Sequence, residues 1–482
     1  MAIWYVSPTG NDSNDGTTTD DSHAWLTWGK AFQSTSVQPG DTVYFKGGVY
    51  QKNLNDGNIY YPSRSSNGTG WDITRDGTSE AWINYWAYPD ETPILDCTGA
   101  YDADERLVYG IRCGNAVNYV HFKGLTIRNV EQNPAFPGDE LGYNSSQVWC
   151  WRMSGRFIME NCVIHDIGGF GYELSGTSAP NYAQVINCDV YNCVDTLTLT
   201  SPGNDGYGFS NYEGGGQIIY YHCRAWGCGD YGFQAGTKSS GSSDQYVIYD
   251  GCWAFDNGRL EGVGNGFTCG WIAYTDGNIK RDYRNCIAAY NRATGWKSLD
   301  YKYPSAVYMN IYNCVGYHNG YHEDDLPSGG VYGYMIEMDN TLDTDAHELL
   351  RVMKNNISYD NEHGDVWTKG GLGLYTHEYN SWDSPNYLTI VPSDFISLGG
   401  TDNENIALLS SARQSDGSLP DLNGFLHPAT NGQLVGVGID LGLEYDGDSI
   451  EWKSIPSIGA FEDIGAPHNI SIRAYVSKIG LA

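Results

Sequence analysis

Five repeats of one short phrase place a polar side chain after a glycine and an aromatic residue. They are Gly171-Tyr172-Glu173, Gly208-Phe209-Ser210, Gly232-Phe233-Gln234, Gly266-Phe267-Thr268 and Gly295-Trp296-Lys297. The polar group is a carboxylate, a hydroxyl, an amide, a second hydroxyl and an amine in turn. If the repeats stack, these groups form a column on one face of the molecule, where an extended polymer could bind.

A second repeat, centred on cysteine, indicates which elements position this column. Segments such as ENCVIHD (160–166) and INCDVYN (186–192) share one frame, and the cysteine position recurs at Cys162, Cys188, Cys223, Cys252, Cys286 and Cys314. Intervals of 26 to 35 residues are typical of stacked repeats. They leave no room for a crossover helix. The chain is therefore predicted to be all-β, a single-domain right-handed parallel β-helix.

The cysteines are predicted to form an inward ladder of buried free thiols. Side chains that point the same way on neighbouring parallel strands have poor geometry for disulfides. Buried free cysteine behaves as a small hydrophobic residue. The ladder is therefore interpreted as structural.

Both ends of such a solenoid are expected to be covered, because open sheet edges invite association. Residues 1–52 are predicted to form an N-terminal cap with a short helix within 25–34. The coils are assigned to 53–383. A C-terminal segment at 384–463 is expected to pack along the β-helix and close it, and 464–482 form a tail.

Charge and hydropathy restrict the partners. The chain has 27 basic and 58 acidic residues, a formal net charge of −31. Such a surface repels nucleic acid and anionic membranes. An acidic substrate would then need bridging cations or a locally basic groove. The sequence contains no apolar run long enough for a membrane span and shows no signal peptide; the oligomeric state is left open.

Several motifs together resemble a known family. They are YVSPTGNDSNDGT (5–17), QPGDTVYFKGGVY (38–50), the cysteine-centred repeats, GNGF (264–267), SDGSLPDLNGFL (415–426) and IGAFE (458–462). The combination resembles polysaccharide lyase family 9, right-handed parallel β-helices that include pectate lyases and rhamnogalacturonan lyases. The resemblance implies β-elimination on an extracellular polysaccharide, and hence an extracellular, cell-surface or periplasmic location. In that reaction a lysine removes the proton α to a uronate carboxylate, while aspartate-held Ca²⁺ neutralises the carboxylate.

Carried over residue by residue, the resemblance implies an altered site. The family's lysine position falls on Thr268, and Lys297 lies in the same column one coil further on. Lys297 is therefore the candidate base. The four aspartate positions of the family fall on Tyr207, Asp230, Tyr231 and Gln234, so one aspartate remains.

The other candidate residues follow from the same carry-over. Tyr207 and Tyr231 are candidate catalytic residues, because a tyrosine with a shifted pKa can act as an acid or base; sugar stacking or packing is the alternative. Asp205 and Asp230 are the candidate ligands for Ca²⁺, which the altered site would hold only with help from backbone carbonyls. Candidate substrate-binding residues are Ser210, Glu213, Gln234, Thr268, Arg292, Tyr301 and Lys302.

Two other functions stay open at this point. A glycoside hydrolase needs two carboxylates about 5–5.5 Å apart for retention or about 6.5–9.5 Å apart for inversion. Possible members of such a pair are Asp205, Glu213, Asp230, Glu261, Asp300, Glu337 and Asp339. The third possibility is a non-catalytic glycan-binding or tailspike-like β-helix. The missing aspartates and the net charge also suggest a polymer less acidic than pectate.

Overall fold

A computed structural model describes residues 1–52, 73–101, 106–112, 116–138, 146–175, 181–211, 215–236, 244–270, 279–299, 307–321, 331–337, 351–368 and 375–463. The chain divides into two compact units. Unit 1 consists of 1–218, 227–236 and 258–263, and unit 2 consists of 219–226, 237–257 and the residues from 264 onward. Strands are numbered in chain order below, and β16 (Gly216–Tyr221) is divided between the units.

Unit 1 is built from three parallel sheets. The first contains, in spatial order, β1 (Ile3–Val6), β2 (Thr42–Phe45), β4 (Ile83–Ala87), β7 (Val117–Lys123), β10 (Gly155–Glu160) and β13 (Asn181–Ile186). The second contains β3 (Gly48–Gln51), β5 (Pro93–Asp96), β8 (Thr126–Val130), β11 (Val163–Ile167) and β14 (Asp189–Cys193). The third contains β6 (Leu107–Arg112), β9 (Gln147–Met153), β12 (Phe170–Leu174), β15 (Tyr207–Asn211) and β18 (Tyr231–Ala235).

Unit 2 repeats this arrangement. Its first sheet contains β19 (Gln245–Asp250), β22 (Ile279–Arg284), β25 (Val307–Tyr312), β28 (Arg351–Lys354) and β31 (Thr376–Glu378). The second contains β17 (Arg224–Trp226), β20 (Trp253–Phe255), β23 (Ile287–Ala289), β26 (Val315–Tyr317) and β29 (Ile357–Tyr359). The third contains β21 (Asn265–Gly270), β24 (Trp296–Leu299), β27 (Tyr334–Glu337) and β30 (Val366–Thr368). From β4 onward, successive strands of the chain enter successive sheets, which confirms the predicted parallel β-helix.

The residue before each ladder cysteine explains the turn between the first and second sheets; it is asparagine at four of the six positions, and His222 (φ 50°) and Gly251 (φ 62°) at the other two. Asn161, Asn187, Asn285 and Asn313 each have φ of 53°, in the left-handed region. Asparagine tolerates this region better than other residues with a Cβ atom. The recurring Asn-Cys pair therefore combines a turn residue with an inward residue.

The cysteine ladder is buried, as predicted. All described cysteines are buried free thiols, whereas Cys113 lies outside the described residues. In unit 1 the Cys162 amide donates to the Cys188 sulfur at 3.4 Å. In unit 2 the Cys286 amide makes the same contact with Cys314, also at 3.4 Å. The thiols thus pack and accept hydrogen bonds inside the coils.

The predicted N-terminal helix is present as α1 (Trp28–Gln33). The Thr27 hydroxyl caps it by accepting the Lys30 amide at 3.0 Å, as expected for an N-cap threonine. Phe32 packs its ring edge-on against Tyr85 of the first sheet, with ring centroids 5.0 Å apart. The helix therefore buries its aromatic face against the first coils.

The segment from 392 onward covers the second sheet of unit 2. It contains a 3-10 helix (Pro392–Asp394) and α2 (Asp402–Leu409), where the Thr401 hydroxyl accepts the Glu404 amide. Phe395, Leu422 and Phe425 share one hydrophobic core with Phe255 and Ile287 of that sheet. No helix in the described ranges is long and apolar enough to cross a bilayer.

Glu160 leads to a prediction for acid stability. Lys123 lies 2.7 Å from its carboxylate and His121 lies 3.0 Å from it. Against the opposing effect of burial, hydrogen bonds from these two residues lower the pKa of Glu160 to about 2. Because the folded-state pKa is below the unfolded value, the stabilisation is present above about pH 4.5 and is lost as the pH falls towards 2.

We expect Glu160→Gln to lower the free energy of unfolding by about 1–3 kcal/mol at neutral pH and by much less near pH 3. Urea titrations at both pH values measure the difference. Glu80→Gln is the matched control, since Glu80 is exposed. If Glu160→Gln lowered the free energy of unfolding by the same amount at both pH values, this account would be contradicted.

Candidate functional site

The repeated polar residues of unit 1 lie in register in its third sheet. Glu173 pairs with Ser210, and Ser210 pairs with Gln234, on neighbouring strands. The Ser210 hydroxyl donates to the Gln234 side-chain oxygen at 2.9 Å. All three side chains are buried. The predicted column therefore exists within unit 1, and a hydrogen bond joins its Ser210 and Gln234 side chains.

The column continues towards the N-terminal coils with two arginines. Glu173 pairs with Arg152, which pairs with Arg112. We call Arg112, Arg152, Glu173, Ser210 and Gln234 the polar column. Sequence reasoning missed the arginines, although Tyr109-Gly110-Ile111-Arg112 and Trp149-Cys150-Trp151-Arg152 are variants of the same phrase. Ile111 stands at the aromatic position of the phrase and Cys150 at its glycine position, so neither segment matched the repeat.

An aromatic column runs beside the polar column, formed by the residue three positions before each polar residue, immediately in front of the glycine of the phrase or, in one repeat, of Cys150. Its members are Tyr109, Trp149, Phe170, Tyr207 and Tyr231. The rings of Tyr109 and Trp149 are 5.4 Å apart, and those of Trp149 and Phe170 are 5.8 Å apart. Phe170 lies 4.5 Å from Tyr207, which lies 5.2 Å from Tyr231. The Tyr207 ring therefore packs between two protein rings that are tilted against it.

Tyr207 is coupled to a buried carboxyl. Its hydroxyl donates to Asp230, and burial raises the pKa of Tyr207 well above its usual range. The phenol therefore stays protonated at neutral pH and acts as a hydrogen-bond donor. Tyr231 is the next residue after Asp230 and is buried, whereas the Tyr207 side chain is partly exposed. The sequence placed both tyrosines among the catalytic candidates, and the raised pKa of Tyr207 favours a donor over a base.

Asp230 is held by protein donors. One of its oxygens accepts the Val263 amide at 2.9 Å, and Tyr207 donates to the carboxyl as well. Burial raises the pKa of Asp230 well above its usual range.

Among the carboxyl groups, sequence reasoning missed Asp195, which accepts the Asp205 amide at 2.9 Å and the Thr198 hydroxyl at 2.5 Å. Asp195 lies outside the repeated phrase, so its position carried no signal.

These residues do not fit the calcium site that the resemblance implies. Tyr207, Tyr231 and Gln234 stand at three of its four aspartate positions, and a hard cation such as Ca²⁺ needs six to eight oxygen ligands. Of the two candidate ligands, Asp230 already accepts two donors from the protein, and Asp205 is partly buried, with its backbone amide donating to Asp195. Within the described ranges, no three His, Cys, Asp or Glu side chains form a group that could hold a metal ion.

In unit 2 the candidate base lies next to the position where the family has its lysine. Thr268 of β21 and Lys297 of β24 are paired directly, and adjacent strands are about 4.8 Å apart. Thr268 is buried, and its hydroxyl has no hydrogen-bond partner among the described residues. Lys297 is partly exposed. The predicted pairing of these two residues in one column is therefore present.

The remaining candidates are placed as follows. Arg292 is partly buried, and its backbone amide donates to Asn257 at 2.9 Å. Glu261 is exposed in unit 1. Residues that lie outside the described ranges are Glu213, Asp300, Tyr301, Lys302 and Asp339; the Glu337 side chain is likewise outside them.

Comparison with known proteins supplies the context for this site. Residues 4–329 match the family described as "Pel9A-like, right handed beta helix region". Pectate lyase L of Dickeya dadantii is 25% identical over 472 residues, covering 95% of this chain and 90% of that protein. Pectate lyase L of Thermoclostridium stercorarium is 26% identical over 319 residues, 64% of this chain and 22% of that protein.

Two solved structures have a similar fold. The crystal structure of pectate lyase Pel9A matches with a TM-score of 0.64 and 22% identity, over 96% of each chain. A rhamnogalacturonan lyase matches with a TM-score of 0.62 and 21% identity, over 89% of this chain and 97% of that one. At these identities the structures support the fold alone.

Proposed function

This chain belongs to the Pel9A-like family of right-handed parallel β-helices, and from that membership we propose that it is a polysaccharide lyase with an altered site. The reaction is β-elimination on a uronate-containing glycan. The base removes the proton α to the uronate carboxylate, and the bond from the β-carbon to the glycosidic oxygen breaks with formation of a carbon–carbon double bond. The leaving oxygen takes up a proton from water and becomes the hydroxyl of the new reducing end. The substrate is proposed to be an extracellular polysaccharide.

The pairing of Lys297 with Thr268 carries this proposal. The lysine position of the family is a threonine here, and an amine on the adjacent rung replaces it in the same column. A partly buried amine can serve as a general base if its surroundings favour the neutral form. We therefore assign proton abstraction to Lys297.

The carboxylate of the substrate must still be stabilised as charge develops. In place of three aspartates the chain has two phenols and an amide, at Tyr207, Tyr231 and Gln234. Neutral donors can stabilise a developing oxyanion when they are already oriented. The Gln234 oxygen accepts from Ser210, which orients the amide. The single hydroxyl proton of Tyr207 is donated to Asp230, so we propose that the Gln234 amide and the Tyr231 phenol act as donors in place of the metal ion.

Calcium dependence tests that proposal. We expect elimination to persist within about twofold when EDTA is present, because Tyr207, Tyr231 and Gln234 stand at three of the four aspartate positions of the family. Initial rates on polygalacturonate and alginate, with EDTA and with added CaCl₂, measure this. A rate that collapses with EDTA and returns with CaCl₂ would contradict the metal-free site while leaving the lyase assignment intact.

A further inference from the structure

The two arginines of the polar column lie on the aromatic column. The Arg112 guanidinium lies over the Tyr109 ring at 5.0 Å, and that of Arg152 lies over the Trp149 ring at 5.2 Å. Both arginines are partly exposed. A planar guanidinium that stacks on a ring is held in one orientation and still presents its N–H edge for bidentate bonding.

The third sheet of unit 1 has a local net charge that differs in sign from that of the whole chain. The strands β6, β9, β12, β15 and β18 contain three charged residues: Arg112, Arg152 and Glu173. The net charge of these strands is +1, in a chain of net charge −31. Two arginines on adjacent rungs therefore form the locally basic surface that an acidic ligand would need.

The two arginines are anchored differently. The Arg152 Nε lies 3.2 Å from the Glu173 carboxylate and 3.0 Å from the Ser175 hydroxyl, and the Arg152 side chain is 25% exposed. Arg112 pairs with no carboxylate among the described residues. Arg152 is thus held in one orientation by Glu173 and Ser175. The positive charge of Arg112 is balanced by no carboxylate in the described ranges.

We propose that Arg112 and Arg152 form a subsite for the carboxylates of an acidic polysaccharide, two to three rungs from Ser210 along the same sheet. This inference rests on the proposed lyase function and narrows its substrate. The glycan carries uronate groups away from the cleaved bond, and it runs along the polar column. Adjacent rungs are about 4.8 Å apart, so the two guanidinium groups can bind carboxylates on different sugar units.

Binding measurements with matched variants test this subsite. Because removal of Arg152 would break its ion pair with buried Glu173, the variants are Arg112→Gln, Arg112→Lys and Arg152→Lys. The control is Arg156→Gln, since Arg156 also stacks on tyrosine rings, 5.0 Å from Tyr119 and 4.5 Å from Tyr182, but belongs to the first sheet. The probes are oligosaccharides of polygalacturonate and of alginate, each native and with its carboxyl groups reduced to alcohols.

We expect Arg112→Gln to weaken binding of the native acidic oligosaccharide by roughly tenfold, with no change for the reduced one. KM should rise by a similar factor while kcat changes little. Arg112→Lys and Arg152→Lys should lose part of the affinity, because lysine keeps the charge but not the bidentate geometry. Arg156→Gln should match the wild type, and circular dichroism checks that every variant is folded.

The outcomes separate the two proposals. Cleavage of acidic glycan with unchanged affinity in folded Arg112→Gln overturns the subsite alone. Arginine-dependent binding without cleavage supports the subsite and overturns the lyase assignment. If the wild type neither binds nor cleaves any acidic probe, both are overturned.

Discussion

Lys297→Ala is expected to lower kcat for elimination by about 10²–10⁴-fold, the usual contribution of a general base. Lys297 lies beside the threonine that occupies the lysine position of the family. The amine is needed only when the proton is removed, so KM should change little. Initial rates on the best polyuronate of a panel measure the effect.

Lys280→Ala is the matched control for this prediction. Lys280 is a partly exposed lysine of unit 2, but it lies in β22 of the first sheet, 4.6 Å from the Tyr246 ring and 3.5 Å from Asp282. Its replacement should leave kcat within about twofold. If both lysine variants retain full activity, Lys297 is not the base.

Asn291→Ala is expected to lower the free energy of unfolding by about 3–5 kcal/mol, because it leaves several buried groups without partners. The Asn291 amide nitrogen donates to the Ala254 carbonyl and to the Asn319 side chain, each at 3.0 Å. Its oxygen accepts the Asn257 side chain at 2.9 Å. Each asparagine thus links its coil to the next.

Asn257, Asn291 and Asn319 form an asparagine ladder, and Asn403→Ala is the control for the Asn291 variant. Asn403 is exposed within α2, where alanine has the better helix propensity, so the change should be near neutral. Urea unfolding of both variants, followed by circular dichroism, gives the comparison. A cost below about 1 kcal/mol for Asn291→Ala would show that the ladder contributes little.

The fold was predictable because its determinants recur. The Asn-Cys pair repeats since every coil needs a left-handed turn residue followed by an inward residue, as at Asn161 and Cys162. The Gly-aromatic-polar phrase repeats since each coil places one ring inside and one polar group in the column. Such local requirements can be read from a single sequence.

The chemistry of the site was less predictable because it depends on contacts between coils. The packing of Tyr207 against Phe170 and its hydrogen bond to Asp230 join residues from different repeats. Nothing in the spacing of these residues indicates that the phenol is a donor. Asp195 lies in a connecting segment without a repeat, so sequence gave it no role. Arg112 was overlooked because its coil has isoleucine where later coils have an aromatic ring.

The most direct test of the lyase assignment is the nature of the product. The wild-type protein should be incubated with polygalacturonate, alginate and glucuronate-containing heteropolymers, while ultraviolet absorbance and new reducing ends are followed together. We predict that absorbance of the unsaturated uronate end rises in proportion to the new reducing ends. Reducing ends without that absorbance would contradict elimination and point instead to hydrolysis by a pair of carboxylates.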